Sequence, residues 1–291
     1  MSAEPIARRA HAKINVFLRV LGRREDGFHD LESVVLPLSL HDLVTVSPDG
    51  GSDPSVTVEG IPELTGRVPT GEDNLVIAAV RELSKRSGVP GGFRVDIHKR
   101  IPVAAGLGGG STDAAATLLA LAEHLAEVDG GHGDPSTLMS VATELGSDVP
   151  ALLAGGPMLV SGRGEVLTPV HTVTTWWVLK PFDVAVTAAD AYAWWDQDPA
   201  TGPDPGVLIA ALETGDLALL GSALFNDLQA PVVARHPEVG EAIEALMEAG
   251  ALGAVMSGSG PTVAALASHM GHADRLAEAV GGAIVVSGPP A

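Results

Sequence analysis

Lys99-Arg100-Ile101-Pro102-Val103-Ala104-Ala105-Gly106-Leu107-Gly108-Gly109-Gly110-Ser111-Thr112-Asp113-Ala114-Ala115-Ala116 reads as a strand end, a glycine loop and the opening of an apolar helix. Four of the five residues from Gly106 to Gly110 lack a side chain, so the backbone bends freely there and a ligand can approach it closely. The alanine- and leucine-rich run over 114–125 has strong helical character. A helix start offers unpaired N–H groups and a partial positive charge, which suit a phosphate. On the residues alone the stretch reads either as a phosphate loop or as a plain turn before a helix. Two phosphate sites are excluded. The P-loop ends in Gly-Lys-Ser/Thr, and no lysine follows Gly110. The dinucleotide fingerprint needs glycine where Ser111 stands.

Upstream of the loop, 93–97 alternates as a strand. Asp73 is placed to cap a helix over 74–87, with Leu75, Ala78, Ala79 and Leu83 on one stripe and Gly88 ending it. Further back, Ile14, Val16, Leu18 and Val20 alternate with Lys13, Asn15, Phe17 and Arg19, the pattern of a half-buried strand. Lys13 and Asn15 therefore point the same way, although a lysine on a strand face is ordinarily solvated. Asp26-Gly27 marks a turn, and strands are expected over 31–38, 43–46 and 55–58.

Downstream, a flexible connector is expected at 130–133. Asp134-Pro135 then opens a helix to Leu145. Gly146-Ser147-Asp148-Val149-Pro150 is a sharp break, where an aspartate ordinarily serves as a helix cap. Gly155-Gly156-Pro157 places a domain division near residue 160, giving 1–160 and 161–291. Beyond it, strands are expected over 158–161, 176–179, 184–187, 252–256, 262–267 and 283–286. Helices are expected over 188–195, 207–220, 238–248 and 273–280, with a further piece around Leu224. This alternation fits an α+β sandwich. The second glycine turn, Ser257-Gly258-Ser259-Gly260-Pro261, can be read as a strand connection.

The 291 residues suffice for one large domain or two moderate ones, and 46% hydrophobic content supports a sizeable core. Thirty-six acidic against 17 basic side chains give a net charge of −19. That balance argues against nucleic-acid or anionic-membrane binding through a broad basic face. The absence of cysteine excludes disulfides and thiolate metal sites. The opening residues lack the apolar core of a secretory signal and no apolar run is long enough to span a membrane, so a soluble, cytoplasmic protein is expected.

Four separated pieces resemble the GHMP small-molecule kinases: Ala12-Lys13-Ile14-Asn15, the loop from Pro102 to Ala116, the segment 145–150, and the turn at 257–260. Within that superfamily the discriminating stretch is Arg23-Arg24-Glu25-Asp26-Gly27-Phe28-His29-Asp30-Leu31. It is similar to the branch acting on cytidine-diphosphate methylerythritol in the non-mevalonate isoprenoid pathway. Glu72-Asp73-Asn74-Leu75 and Asn226-Asp227-Leu228 add support. The resemblance implies an α+β two-domain fold: an N-terminal nucleotide-binding α/β domain, a C-terminal ferredoxin-like α+β sandwich, and an active site in the cleft between them. It also implies an ATP-dependent kinase using Mg2+, with Lys13 and Asp148 as the catalytic pair. Pro102 through Thr112 (the alanines, glycines, Leu107 and Ser111 included) would cradle ATP, and Asn74 and Lys99 would sit near its adenine. Asn15 and Thr187 would bind the substrate beside Asp148, with His29 on the cytosine and Phe28 and Tyr192 stacked on its faces. Gly258, Ser259 and Gly260 form the second glycine turn.

The chemistry suits those residue types, because phosphoryl transfer needs alignment, charge neutralisation and a carboxylate to accept the hydroxyl proton. A compact lysine cation can hold both that carboxylate and the developing alkoxide. Departures from the family pattern are His11 for proline, Ala104-Ala105 where glycine is frequent, and Phe28 where tyrosine is frequent. The alternatives are a sister kinase acting on homoserine, mevalonate or a sugar, and a non-catalytic ligand sensor on the same fold. The oligomeric state is left open.

Overall fold

The computed structural model describes residues 4–88, 91–129 and 134–290. The connector expected at 130–133 lies outside the described residues. The chain divides into two units, one formed by 1–12, 40–103 and 108–155, the other by 13–39, 104–107 and 156–291.

The long strands β1 (Ile6–Arg23) and β2 (His29–Pro48) each give residues to both units. In the first unit they are joined by β3 (Ser55–Gly60), α1 (Pro62–Thr65), α2 (Leu75–Ser87), β4 (Phe93–Lys99), α3 (Gly109–Asp129), α4 (Pro135–Leu145) and α5 (Val149–Ala154). Strand order here is β3-β4-β2-β1. β3 runs parallel to β4, Val56 opposite Val95, and β4 runs antiparallel to β2, Val95 opposite Val46. The helices bury an alanine-rich face on the sheet: Ala114, Ala115, Leu118 and Leu121 of α3 join Val76, Val80 and Leu83 of α2 and Val141 of α4. Small side chains let α3 approach its neighbours closely.

Local chemistry departs from the sequence reading at several points here. Asn74, not Asp73, caps α2, its Oδ1 accepting from Val76 N at 2.9 Å. Gly88 ends that helix at φ 71°, where a side chain would be strained. The strands expected over 31–38 and 43–46 are one strand, which runs through 39–42, where Asp42 is fully buried and paired. β1 begins at Ile6 rather than Ile14 and is buried on both faces from 12 to 18. Lys13 lies inside, 4% exposed.

The second unit continues with β5 (Met158–Gly162), β6 (Val166–Pro169), β7 (Thr175–Lys180), α6 (Ala188–Trp195), α7 (Gly206–Thr214), α8 (Leu217–Ala223), β8 (Phe225–Asn226), α9 (Gln229–Val233), α10 (Pro237–Glu248), β9 (Gly253–Met256), β10 (Val263–Ala267), α11 (Met270–Val280) and β11 (Ile284–Gly288). β8 lies parallel to β1, Phe17 opposite Phe225, and β5 lies antiparallel to β2. A second sheet of order β11-β7-β10-β9 is antiparallel throughout. Together with the helices packed on it, it forms the ferredoxin-like sandwich. Its core gathers Val178, Val263, Ala265, Leu246, Leu276 and Trp195. The strand expected over 184–187 does not form. That segment pairs with no strand, and Thr187, itself extended, caps α6, accepting from Asp190 N. The helix expected over 207–220 is two helices, because Gly215 at φ 71° stops α7 and Asp216 caps α8. Among the described residues no helix is long and apolar enough to cross a membrane.

Candidate active site

In the second unit, β1 sets the spacing. Residues two apart on a strand share a face, and Lys13 Nζ donates to Asn15 Oδ1 at 2.6 Å. Asn15 in turn is held: its Nδ2 donates to Ser33 Oγ at 2.7 Å, Ser33 Oγ donates to Phe17 O at 2.7 Å, and its backbone N donates to Ser257 Oγ at 3.2 Å. The second glycine turn lies directly on this pair. A Cβ on Gly258, whose φ is 58°, would sit 2.9 Å from Asn15 Oδ1 and 3.3 Å from Lys13 Nζ. Asn226 fastens the turn, its Nδ2 donating to Met256 O and Gly258 O.

The part of the first glycine loop that belongs to this unit meets the same turn. Lys13 N donates to Leu107 O at 3.0 Å, and Ser257 Oγ donates to Gly106 O at 3.1 Å. A Cβ on Gly106 would fall 2.7 Å from Ser257 O and 2.8 Å from Gly260 O. The two glycine-rich segments thus touch through backbone, and only glycine permits that approach. Lys13, Asn15, residues 104–107 and residues 257–260 form one group.

A second group in this unit is built around His29. Its Nε2 lies 2.8 Å from Asp196 Oδ1, its ring stacks on Tyr192 at 4.7 Å and 17°, and Trp195 meets it edge-on. A carboxylate only accepts, so Nε2 carries the proton, and in neutral His29 Nδ1 is left as an acceptor. Phe28 is half exposed, with the Arg163 guanidinium 3.9 Å above its ring. Thr187 belongs to the cap of α6, where its hydroxyl donates to Asp190 Oδ2 at 2.6 Å.

The first unit holds the remaining residues. Asn74 spends its side chain on the α2 cap and on Pro69 O. Asp148 precedes α5 with helical backbone angles, and its side chain makes no capping bond. Gly108 O accepts from Thr112 N at 2.8 Å as α3 begins, and Thr112 Oγ1 donates to His11 O. Lys99, 2% exposed, donates from Nζ to Asp42 Oδ2 at 2.5 Å and to Asp113 Oδ2 at 2.8 Å. Burial presses the lysine's pKa down, but the two carboxylates outweigh it and hold it above the ordinary value. Burial raises Asp113 to about 7, helped by the charge of Asp42 and opposed by that of Lys99.

Residues 74–156 match the family model of the GHMP kinase N-terminal domain, and 208–284 that of the GHMP kinase C-terminal domain. A 4-diphosphocytidyl-2-C-methyl-D-erythritol kinase of Deinococcus radiodurans is 44% identical over 275 residues, covering 93% of this chain and 87% of its own. That of Symbiobacterium thermophilum is 40% identical over 273 residues, covering 93% of each. A crystal structure of 4-(cytidine 5'-diphospho)-2C-methyl-D-erythritol kinase superposes with a TM-score of 0.80 at 34% identity, covering 98% of this chain and all of the other. The chain belongs to the 4-diphosphocytidyl-2-C-methyl-D-erythritol kinase family. It is a small-molecule kinase of the GHMP type.

Several groups around the motifs of this kinase escape sequence reasoning. Asp196 comes to His29 from 167 positions away, and Asp42 comes to Lys99 from 57. No spacing rule joins residues so far apart. Ser33 holds Asn15 as an ordinary polar residue in an apolar strand, and Asn226, part of the supporting motif Asn226-Asp227-Leu228, holds the second turn. Their one signal is burial of a polar side chain where the alternation calls for an apolar one.

Proposed function

We propose that the chain transfers the γ-phosphate of ATP to the 2-hydroxyl of 4-diphosphocytidyl-2-C-methyl-D-erythritol. The observation that carries this reading is the Lys13–Asn15 pair: a buried cation oriented by a neutral amide, with the backbone of Gly258 against it and Leu107 O accepting from Lys13 N. Lys13 stabilises the alkoxide and the phosphoryl charge, Asn15 orients the acceptor, and Asp148 takes the hydroxyl proton. The loop from Pro102 to Thr112 receives the phosphates on its amides, with Asn74 and Lys99 bordering the adenine side. His29 Nδ1 accepts from the cytosine amine, and Phe28 and Tyr192 supply aromatic faces on that side, with Thr187 nearby in sequence.

Among the described residues no group of three or more His, Cys, Asp or Glu side chains is placed to hold a metal ion. Magnesium keeps waters and phosphate oxygens as ligands, so it fits as an ion carried in on the nucleotide, where it neutralises phosphate charge. A cytoplasmic place of action belongs to the same reading, since ATP is the donor. The test is ADP release with ATP, magnesium and the cytidylyl acceptor, run beside homoserine and mevalonate. Release with the cytidylyl acceptor alone is expected. Release with another alcohol alone would discard the roles given to Phe28, His29 and Tyr192.

A further inference from the structure

We propose that Lys99, Asp42 and Asp113 form a clamp that fixes the two stems of the phosphate loop, with Asp42 and Asp113 as positioning residues for the nucleotide; this rests on reading 102–112 as the ATP cradle. Lys99 ends β4 on one side of the loop and Asp113 opens the second turn of α3 on the other, 14 positions on. One ammonium bridges both sides through Asp113 Oδ2 and Asp42 Oδ2. Asp42 Oδ1 accepts from Arg100 N at 2.5 Å and Ile101 N at 2.9 Å, so both of its oxygens are spent on the strand exit. Gly109 completes the fit, because a Cβ there would stand 3.2 Å from Lys99 Nζ.

Buried ion pairs return little net stability, since desolvation offsets the attraction. What this cluster supplies is geometry. Its two carboxylates sit at 0% and 2% exposure and its ammonium at 2%, joining the two ends of a loop whose amides bind only if their spacing is held. Asp113 Oδ1 has no partner, so the bond to Lys99 is what this carboxyl offers the loop. A loop ordered in advance binds its ligand without a further entropy cost. The clamp therefore acts on nucleotide affinity rather than on the chemical step.

The test compares wild type with Asp113→Ala and with Asp113→Asn, which keeps an oxygen for Lys99 to bond. KM for ATP, KM for the acceptor, kcat, melting temperature and calorimetric affinity for a non-hydrolysable ATP analogue are measured. Asp113→Ala is expected to raise KM for ATP and weaken analogue binding about tenfold, leaving acceptor KM and kcat within about twofold. Asp113→Asn is expected to restore most of the affinity. Unchanged analogue affinity in folded Asp113→Ala, or equal loss in both variants, would overturn the clamp. If Asp113→Ala does not fold, Asp113→Ser, whose hydroxyl is too short to reach Lys99, is judged by the same split. Failure of the wild type to turn over the cytidylyl acceptor bears on the acceptor reading alone, because analogue affinity still decides the clamp.

Discussion

At the scale of single residues, the groups that matter most are polar side chains taken out of water. Lys13, Asn15, Asp42, Lys99 and Asp113 are all at most 4% exposed. Each is oriented by another buried group, which costs desolvation and returns a fixed direction. Asp113 makes this measurable. Burial lifts its pKa from the ordinary 3.8 to about 7, so the folded chain holds that proton more tightly than the unfolded chain does. Between those values the native state binds more protons, and stability from this group falls as pH rises. The contribution is complete below 3.8 and is lost as pH climbs through 7. Asp113→Asn has no proton to lose there. Its melting temperature relative to wild type is therefore expected to improve steadily from about pH 5 to pH 8. Thermal melts across that range check it, and parallel curves for the two proteins would refute it.

At the scale of elements, the glycine loop holds its own contradiction. Ala104 adopts φ 56°, the one non-glycine residue at positive φ among the described residues, whereas Ala105 is not in that region and is 3% exposed. The left-handed conformation costs an L-residue about 1–2 kcal/mol, and a glycine adds about 0.4–1 kcal/mol of unfolded-state entropy. Ala104→Gly should consequently come out near neutral or slightly stabilising. Ala105→Gly gains no such relief and is expected to cost about 1 kcal/mol. Denaturant titration of both variants checks the contrast, and equal losses would show that Ala104 carries no strain.

The same loop shows how far the sequence could be read. Periodicity reached the helices that have clear caps, such as α4 behind Asp134-Pro135 and α6 behind Thr187. Strand alternation brought Lys13 and Asn15 to one face, as the structure has them. It failed where tertiary partners decide. The segment 184–187 joins no sheet, and β2 reads as two strands with a gap at 39–42, where Asp42 finds its lysine 57 residues away. The motif residues proposed for the site were named through the family resemblance, since on the residues alone a lysine on a strand face is ordinarily solvated. Their supports, Ser33, Asp196 and Asp113, were not, since a hydrogen bond across the fold leaves no trace in local order.

For the whole molecule, the dominant fact is a charge of −19 on a chain for which two anionic ligands, ATP and the cytidylyl acceptor, are proposed. On the proposed reading the long-range field repels both ligands, while the short-range devices (loop amides, the helix start, Lys13) would attract them only on arrival. Salt separates the two effects because it screens distant exposed charges far more than buried ones. The Debye length is about 30 Å at 0.01 M and about 8 Å at 0.15 M. Lys13 is almost wholly enclosed, so its pull is little altered over that range. The repulsion of 36 acidic side chains is largely removed. For this kinase, kcat/KM for ATP is therefore expected to rise about two- to threefold from about 0.01 to 0.15 M monovalent salt at fixed magnesium. An enzyme guided by exposed positive charge would show a fall over the same range. A monotonic decrease here would mean that an exposed cation, rather than the enclosed Lys13 and the backbone amides, draws the nucleotide in.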